Sequence, residues 1–146
     1  MKVNTTRFGT LTLEEEKIIE MPTGMLGFPE KRRFVILTHR DDSPFFWYQS
    51  VDDPDLAFVI TSPSLFHPDY NVNLTEPLKA MSWDPDEKES TLLYVIVNIP
   101  RGNPEKMTAN LIGPILVHPG KSQAVQMVIA NSPYSHNVPL MKDKEK

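Results

Sequence analysis

Cysteine is absent from the 146 residues of this chain. Without cysteine there is no disulfide framework, no thiolate metal ligand and no cysteine nucleophile. The chain also lacks any apolar run near the roughly 20 residues that a membrane helix requires, and its first residues lack the charged-then-apolar pattern of a signal peptide. We therefore expect a cytoplasmic protein that does not enter a membrane and relies on its hydrophobic core for stability.

Positive charge is also scarce. The chain has 15 Lys and Arg against 19 Asp and Glu, for a formal net charge of −4. Nucleic-acid affinity rests on basic side chains that neutralise phosphates. The balance therefore argues against direct nucleic-acid binding, and an acidic protein more naturally meets a basic partner.

Patterns that carry chemistry are missing as well. None of the four histidines has a second histidine at metal-ligand spacing, which leaves only a less favoured zinc site built from distant strands. The glycine pair in residues 24–29 lacks the phosphate-loop pattern and is better explained as a tight turn. The acidic runs 14–16 and 52–55 are typical of solvated turns rather than of an acid–base pair. We therefore predict no enzyme, no cofactor and no metal.

The fold class follows from short apolar runs separated by many of the 14 prolines. The two helix signals are weak: residues 29–33 could form one turn and residues 76–83 a short helix, and neither is long enough for a β-α-β crossover. Several predicted strands are apolar on both faces, which favours a small antiparallel closed or nearly closed β-barrel with one or two short helices. A β-sandwich is the alternative. We expect one domain over residues 1–141 and a frayed charged tail over 142–146.

The predicted strands are short runs rich in β-branched and aromatic residues. They cover residues 5–13, 17–21, 34–38, 45–50, 56–61, 71–74, 92–99, 110–111, 115–117 and 124–130. Gly9 is expected to form a bulge, and the interval 13–17 suits a hairpin turn between the first two strands.

The most distinctive segment is a strand of four consecutive aromatics, residues 45–48, flanked by carboxylates. Alternation on a strand sends Phe45 and Trp47 to one face and Phe46 and Tyr48 to the other. One pair can fill the core, and the other can lie near the surface, where aromatics anchor interfaces. The alternative is that all four are core residues and the acids form turns. The apolar loop 63–70 either covers a barrel end or presents a docking surface.

Several motifs occur in a recognisable order. Asn110-Leu111 and Pro114-Ile115 form an N-L-x-x-P-I pattern, residues 22–28 read P-x-G-x-x-G-F, and residues 49–58 read Q-S-x-D-D-P-x-L-A-F. Further landmarks are Thr6-Arg7-Phe8-Gly9, Pro68-Asp69-Tyr70, Tyr134 and Pro139-Leu140. Together they span nearly the whole chain, which resembles the FliW family of flagellar assembly factors, with Tyr48 where the family usually has Leu.

The resemblance implies a bacterial, cytoplasmic, non-enzymatic β-barrel-like regulator. Members of the family bind CsrA, a small basic RNA-binding translational repressor, and relieve its block on flagellin mRNA. That action is allosteric, away from the RNA-binding surface. They also bind flagellin itself, and free flagellin competes for them, so that flagellin translation is coupled to flagellum assembly.

We expect the partner surface to involve the turn after the aromatic strand, the apolar loop and the asparagine of the N-L-x-x-P-I pattern. The predicted contact residues are Gln49, Ser50, Asp52, Asp53, Asp55, Phe66, Pro68, Tyr70 and Asn110. The alternative for Asn110 is a buried amide that ties a turn. Rival functions are a small flavin-binding barrel, an OB-like binder of single-stranded nucleic acid, for which the acid-flanked aromatic strand has the wrong charge, and a purely structural subunit.

Overall fold

The computed structural model describes residues 1–38, 43–129 and 133–140. Within these ranges the chain forms ten strands, one α-helix and five 3₁₀ segments. The strands are β1 (Lys2–Thr5), β2 (Gly9–Thr12), β3 (Ile19–Glu20), β4 (Arg33–Thr38), β5 (Phe45–Ser50), β6 (Ala57–Thr61), β7 (Leu92–Asn98), β8 (Thr108–His118), β9 (Gln123–Gln126) and β10 (Val138–Pro139). The helix α1 is Thr75–Ala80, and the 3₁₀ segments are Glu15–Lys17, Pro63–Leu65, Pro85–Ser90, Pro104–Lys106 and Pro119–Lys121.

Seven of these strands close into a barrel. The order is β8-β7-β6-β5-β4-β3-β9, and β9 pairs back onto β8. Neighbours are antiparallel except at the seam between β3 and β9, where a single parallel pair, Glu20 with Gln123, completes the circle. Strand β10 lies outside the circle on β8. The prediction of a small all-β barrel is confirmed, and the sandwich alternative is wrong.

The barrel has two distinct ends, because successive connections between antiparallel strands lie at opposite ends. We call one the motif end, since it carries the connections 21–32, 51–56 and 99–107. The other, the open end, carries Glu15–Lys17, Pro119–Lys121 and the start of β7.

Inward-pointing side chains from every side fill the barrel. Phe34 and Tyr48 are fully buried there and stack with ring centroids 4.5 Å apart. Phe46 packs against the same cluster, whereas Trp47 points outward, where the Phe8 ring meets it edge-on at 6.0 Å. Tyr48 and Phe46 therefore belong to the interior cluster and Trp47 to the outer side, as alternation along the strand predicts.

Three layers cover the outside of the barrel, which explains why several strands are apolar on both faces. The β1–β2 hairpin packs through Val3 onto Val35. The segment after β6 packs Leu78 and Trp83 onto the outer side of β8 and β9. Loop 63–70 and β10 cover the outer face where β7 and β8 meet. Each layer buries apolar area that would otherwise face water.

The N-terminal region differs from the expectation of one strand over residues 5–13. It is a hairpin, because the Thr5 hydroxyl accepts a hydrogen bond from the Phe8 amide (2.7 Å) and donates one to the Gly9 carbonyl (2.8 Å). Gly9 has φ +71°, which reverses the chain. The predicted hairpin turn at 13–17 is also wrong, since β3 pairs with β4 and β9 rather than with β2.

Two further expectations need correction. Residues 71–74 form no strand; they lead into α1, where the Asn73 side chain accepts a hydrogen bond from the Thr75 amide at 2.9 Å. Residues 110–111 and 115–117 are not separate strands but parts of the continuous β8. The predicted tail, residues 142–146, lies outside the described residues, and the single-domain boundary at 141 stays a prediction.

Candidate protein-binding site

The turn between β5 and β6 is built around Gln49, which is fully buried. Its amide nitrogen lies 3.0 Å from the Ser50 carbonyl, 3.4 Å from that of Asp53 and 3.1 Å from that of Leu56. The Ser50 hydroxyl accepts a hydrogen bond from the Asp53 amide at 3.0 Å. Gln49 and Ser50 therefore shape this turn from within, and only a rearranged turn would present them to a partner.

The carboxylates of the same turn face basic residues of the chain itself. Arg33 donates to Asp52 through Nε at 3.2 Å, and this bond lowers the pKa of the Asp52 carboxyl. Lys31 lies 3.7 Å from Asp53. The sequence shows no Lys or Arg beside these acids, but the hairpin pairing of β4 with β5 places both cations opposite them. The local negative charge is therefore largely compensated, although each exposed pair adds only about 0–1 kcal/mol of stability.

Hydrogen bonds join Asp55 and the residue before it to the N-terminal hairpin. The Thr6 hydroxyl donates to the Asp55 carboxylate, and the Thr6 amide donates to the Pro54 carbonyl at 2.9 Å. The neighbouring Arg7 guanidinium lies over the Trp47 ring at 4.1 Å, an arrangement that favours a cation. The Thr6-Arg7-Phe8-Gly9 motif therefore supplies the contacts that hold the N-terminal hairpin against β5 and the turn that follows it.

The glycine turn closes the motif end of the barrel. Gly24 has φ +71°, and a Cβ at this position would lie 2.3 Å from the Pro29 carbonyl oxygen. Met21 and Met25, both buried, project from this turn into the barrel interior. The prediction of a tight turn is confirmed, and we call these two side chains the methionine plug.

Asn110 organises a bulge in β8. Its side-chain oxygen accepts hydrogen bonds from the Ile112 and Gly113 amides, both at 3.1 Å. The pairing with β7 jumps here: Tyr94 lies opposite Ile115, but Ile96 lies opposite Asn110. The irregularity turns Leu111 to the outer cluster and Ile115 to the interior one. Asn110 therefore ties a turn, as its alternative role predicts, and a partner contact by it stays a prediction.

Gln126 joins the glycine turn to this bulge, although no motif in the sequence indicates it. Its side-chain oxygen accepts from the Leu26 amide at 2.8 Å, and its nitrogen donates to the Gly113 carbonyl at 2.9 Å. These partners lie 100 and 13 residues away. No local pattern marks such a residue, because its bond to Leu26 depends on closure of the barrel between β3 and β9.

The apolar loop lies on the side of the barrel rather than over an end. The Tyr70 hydroxyl donates to the Leu111 carbonyl at 2.6 Å, and its ring meets Tyr134 edge-on at 4.7 Å. Burial raises the pKa of the Tyr70 hydroxyl above its ordinary range. Phe66 packs into the same outer cluster, whereas Pro68 is exposed. The loop therefore serves mainly as a cover, with Pro68 as its most accessible predicted contact.

The predicted residues fall in two neighbouring parts of the barrel. The turn 49–55 and Asn110 both lie at the motif end, and the loop reaches that region through Leu111. Exposed apolar side chains lie beside them: Leu26 is 57% exposed, and Phe28 and Ile99 are partly exposed. Within the described residues, no three His, Asp or Glu side chains are grouped as metal ligands, and no helix has the length and apolarity to cross a bilayer.

The motif residues described above form turns, the contact between the N-terminal hairpin and β5, and the bulge in β8. They do not assemble a nucleophile, base and orienting group. The fold and this region define a small closed β-barrel with surface for protein contacts. A family model described as FliW protein matches residues 2–140.

Similar proteins and a similar solved structure belong to the same family. The chain is 44% identical to the flagellar assembly factor FliW of Geotalea uraniireducens, over 100% of this chain and 88% of the relative. It is 43% identical to that of Geobacter sulfurreducens, over 96% of this chain and 86% of the relative. A crystal structure of the flagellar assembly factor FliW superimposes with a TM-score of 0.88 at 29% identity, covering 99% of both chains. The chain belongs to the FliW family, which is a family of assembly factors and not of enzymes.

Proposed function

We propose that this flagellar assembly factor acts in the cytoplasm as a switch between two protein partners, CsrA and flagellin. Bound to CsrA, it relieves repression of flagellin mRNA without occupying the RNA-binding surface. Bound to free flagellin, it releases CsrA, and translation falls until flagellin is exported. The observation that carries the proposal is the match of residues 2–140 to the FliW family. The sequence motifs shared with that family also form ordered turns in the structure.

The charge of the chain supports a basic partner. A net charge of −4 favours encounter with a basic protein such as CsrA through long-range steering and local complementarity. Exposed large apolar side chains supply the second requirement of an interface, a surface that gains from burial.

The nine predicted contact residues enter this proposal in two groups. The turn and bulge residues Gln49, Ser50 and Asn110 hold the backbone of the motif end, so we expect them to affect binding through its shape. The remaining six are the proposed direct contacts: Asp52, Asp53, Asp55, Phe66, Pro68 and Tyr70.

Calorimetric titration tests the switch. The chain is titrated with purified CsrA, alone and after saturation with flagellin, and the expected result is that flagellin lowers the affinity for CsrA. Reciprocity requires CsrA to lower the affinity for flagellin by the same factor. The switch requires that the chain does not bind CsrA and flagellin at the same time. It does not require the two partners to share one binding surface. Unchanged affinity in both directions would contradict it.

A further inference from the structure

Among the described residues, which leave out 39–42 of the β4–β5 connection, the open end of the barrel has no counterpart to the methionine plug. Ile36, Phe46 and Tyr94 belong to the interior cluster but remain only partly buried there. Two depressions of about 410 and 340 Å³ meet at Leu92. Leu92 is 48% exposed, and Leu65, on the rim of the second depression, is 64% exposed. The interior of the barrel is therefore in contact with an apolar surface at this end.

Such a surface costs free energy to leave in water and gains free energy when a partner covers it. One apolar side chain of a partner, placed in the depression beside Ile19, Ile36 and Val117, would touch the interior cluster directly. Apolar depressions at the mouth of a barrel are a common place for a ligand group to insert.

Acidic residues surround this mouth on two sides. One side is the segment around Glu15–Lys17, with three exposed glutamates in residues 14–16. The other is the Pro85–Ser90 helix, which Glu87 ties to the open end: its carboxylate lies 2.9 Å from His118 Nε2 and 3.3 Å from Lys121 Nζ. We call these two segments the acidic rim.

The acidic rim differs from the acids of the motif end in having few partners. Among the described residues, the acids of the rim other than Glu87 have no basic side chain within 4 Å. The uncompensated ones are Glu14, Glu15, Glu16, Asp86 and Glu89. The basic residues of the rim are Lys17, Lys88 and Lys121. Six acids against three lysines therefore leave an excess of negative charge around the apolar mouth among the described residues.

We propose that the open end is a docking site for a basic protein surface that presents an apolar side chain, and that, under the proposed function on which this inference rests, its occupant is CsrA. An acidic rim around an apolar centre is complementary to a basic rim around an apolar knob. A second copy of this chain does not fit, because two acidic rims would face each other and like charges oppose association.

The apolar part of the site is tested with the double variant Leu65→Ala/Leu92→Ala. Both side chains are well exposed, so the fold is expected to survive, which circular dichroism checks. Central apolar contacts of an interface typically lose at least tenfold in affinity on truncation, so we expect the dissociation constant for CsrA to rise about tenfold or more. The control is Val128→Ala, which truncates an exposed apolar side chain outside the open end and is expected to change it by less than about twofold.

The acidic rim is tested with Glu15→Lys/Glu16→Lys, measured by surface-immobilised kinetics at several salt concentrations. Rim charges act mainly on association, so we expect an association rate reduced by about threefold or more, with a weaker dependence on salt. The control Glu30→Lys/Glu105→Lys makes the same change in net charge at the motif end and is expected to slow association less.

The possible outcomes distinguish failure of the proposed function from failure of the open-end docking site. If the unaltered chain does not bind CsrA, the proposed function fails and this inference fails with it. If it binds CsrA and neither open-end variant differs from its control, the proposed function stands and the open end is not the docking site. Loss of flagellin binding with unchanged CsrA binding would also overturn the assignment of CsrA to this end.

Discussion

The two ends of the barrel differ in what their side chains do. At the motif end, polar side chains are engaged within the chain: Gln49 with the carbonyls of its turn, Asn110 with its bulge, and Gln126 with both the bulge and the glycine turn. At the open end, apolar side chains of the interior cluster remain partly accessible, and most acids of the rim have no basic partner. The motif end is therefore organised to complete the fold, and the open end retains unsatisfied surface.

This contrast shows that a recognisable motif can be explained by the fold without marking a contact surface. The residues of the motifs are restricted by internal geometry, such as the close approach of Gly24 to Pro29 and the two amides bound by Asn110. A surface that only has to be apolar and acidic has no such positional requirement. It leaves no fixed pattern in a single sequence.

The largest expected effect concerns Gly24 at the motif end. Gly24→Ala places a methyl group against the Pro29 backbone, so we expect a loss of about 3 kcal/mol or more in the free energy of unfolding. Gly27→Ala is the matched control, because Gly27 also has a positive φ (+84°) but has nothing within 4 Å of the added methyl. It should cost about 1 kcal/mol. Urea denaturation measures both, and equal losses would show that the turn relaxes away from Pro29.

A smaller loss is expected at the buried amide of the same end. Gln49→Met keeps the length of the side chain but leaves carbonyls of the turn without their donor, which should lower the free energy of unfolding by about 2 kcal/mol. Gln126→Met removes two hydrogen bonds from a partly buried position and should cost about 1 kcal/mol. If Gln49→Met is neutral, water replaces the donor and the motif end is less closed than its hydrogen bonds indicate.

The sequence predicts the barrel because its evidence is local. The apolar run at 45–50 and the short helical signal at 76–83 define elements that the structure retains as β5 and α1. The hairpin at Thr5 was missed because one hydroxyl, bound to two backbone groups, decides between a continued strand and a reversal. Local alternation does not report that choice.

The candidate site is less predictable because its electrostatics are long-range. The acids of the turn 52–55 stand without basic neighbours in the sequence, and only strand pairing supplies Lys31 and Arg33. The acidic rim likewise combines residues 14–16 with a helix about 70 positions later, through the contact of Glu87 with the end of β8. Neither arrangement is visible until the barrel closes.

An acid titration compares the paired carboxylates of the two ends. Hydrogen bonds from the Asp84 amide, His118 and Lys121 lower the pKa of Glu87, and the hydrogen bond from Arg33 lowers that of Asp52. A carboxyl whose pKa is lower in the folded state contributes stability that is complete above its unfolded pKa and is lost as the pH falls through the folded value. Stability should therefore fall below about pH 5, where unfolded carboxyls begin to bind protons.

The two variants that test this are Glu87→Gln at the open end and Asp52→Asn at the motif end. Each should flatten the acid limb of stability measured by urea denaturation between about pH 6 and pH 3. The larger flattening is expected for Glu87→Gln, because three groups hold Glu87 and one hydrogen-bonding side chain holds Asp52. The reverse order would show that the motif end carries the acid sensitivity.

The smallest expected effect on the free energy of unfolding comes from truncating the exposed leucines of the open end. Leu65→Ala and Leu92→Ala should each change the free energy of unfolding by no more than about 0.5 kcal/mol, because both side chains are largely exposed. Leu111→Ala is the comparison, since Leu111 is fully buried in the outer cluster and its truncation should cost about 3 kcal/mol. Thermal and urea unfolding of the three variants decide the point. A cost near 2 kcal/mol at Leu92 would make it part of the barrel core, and the open end would then be an incompletely filled interior. A cost near zero leaves two large apolar side chains that folding does not require, at the mouth where the acidic rim is uncompensated.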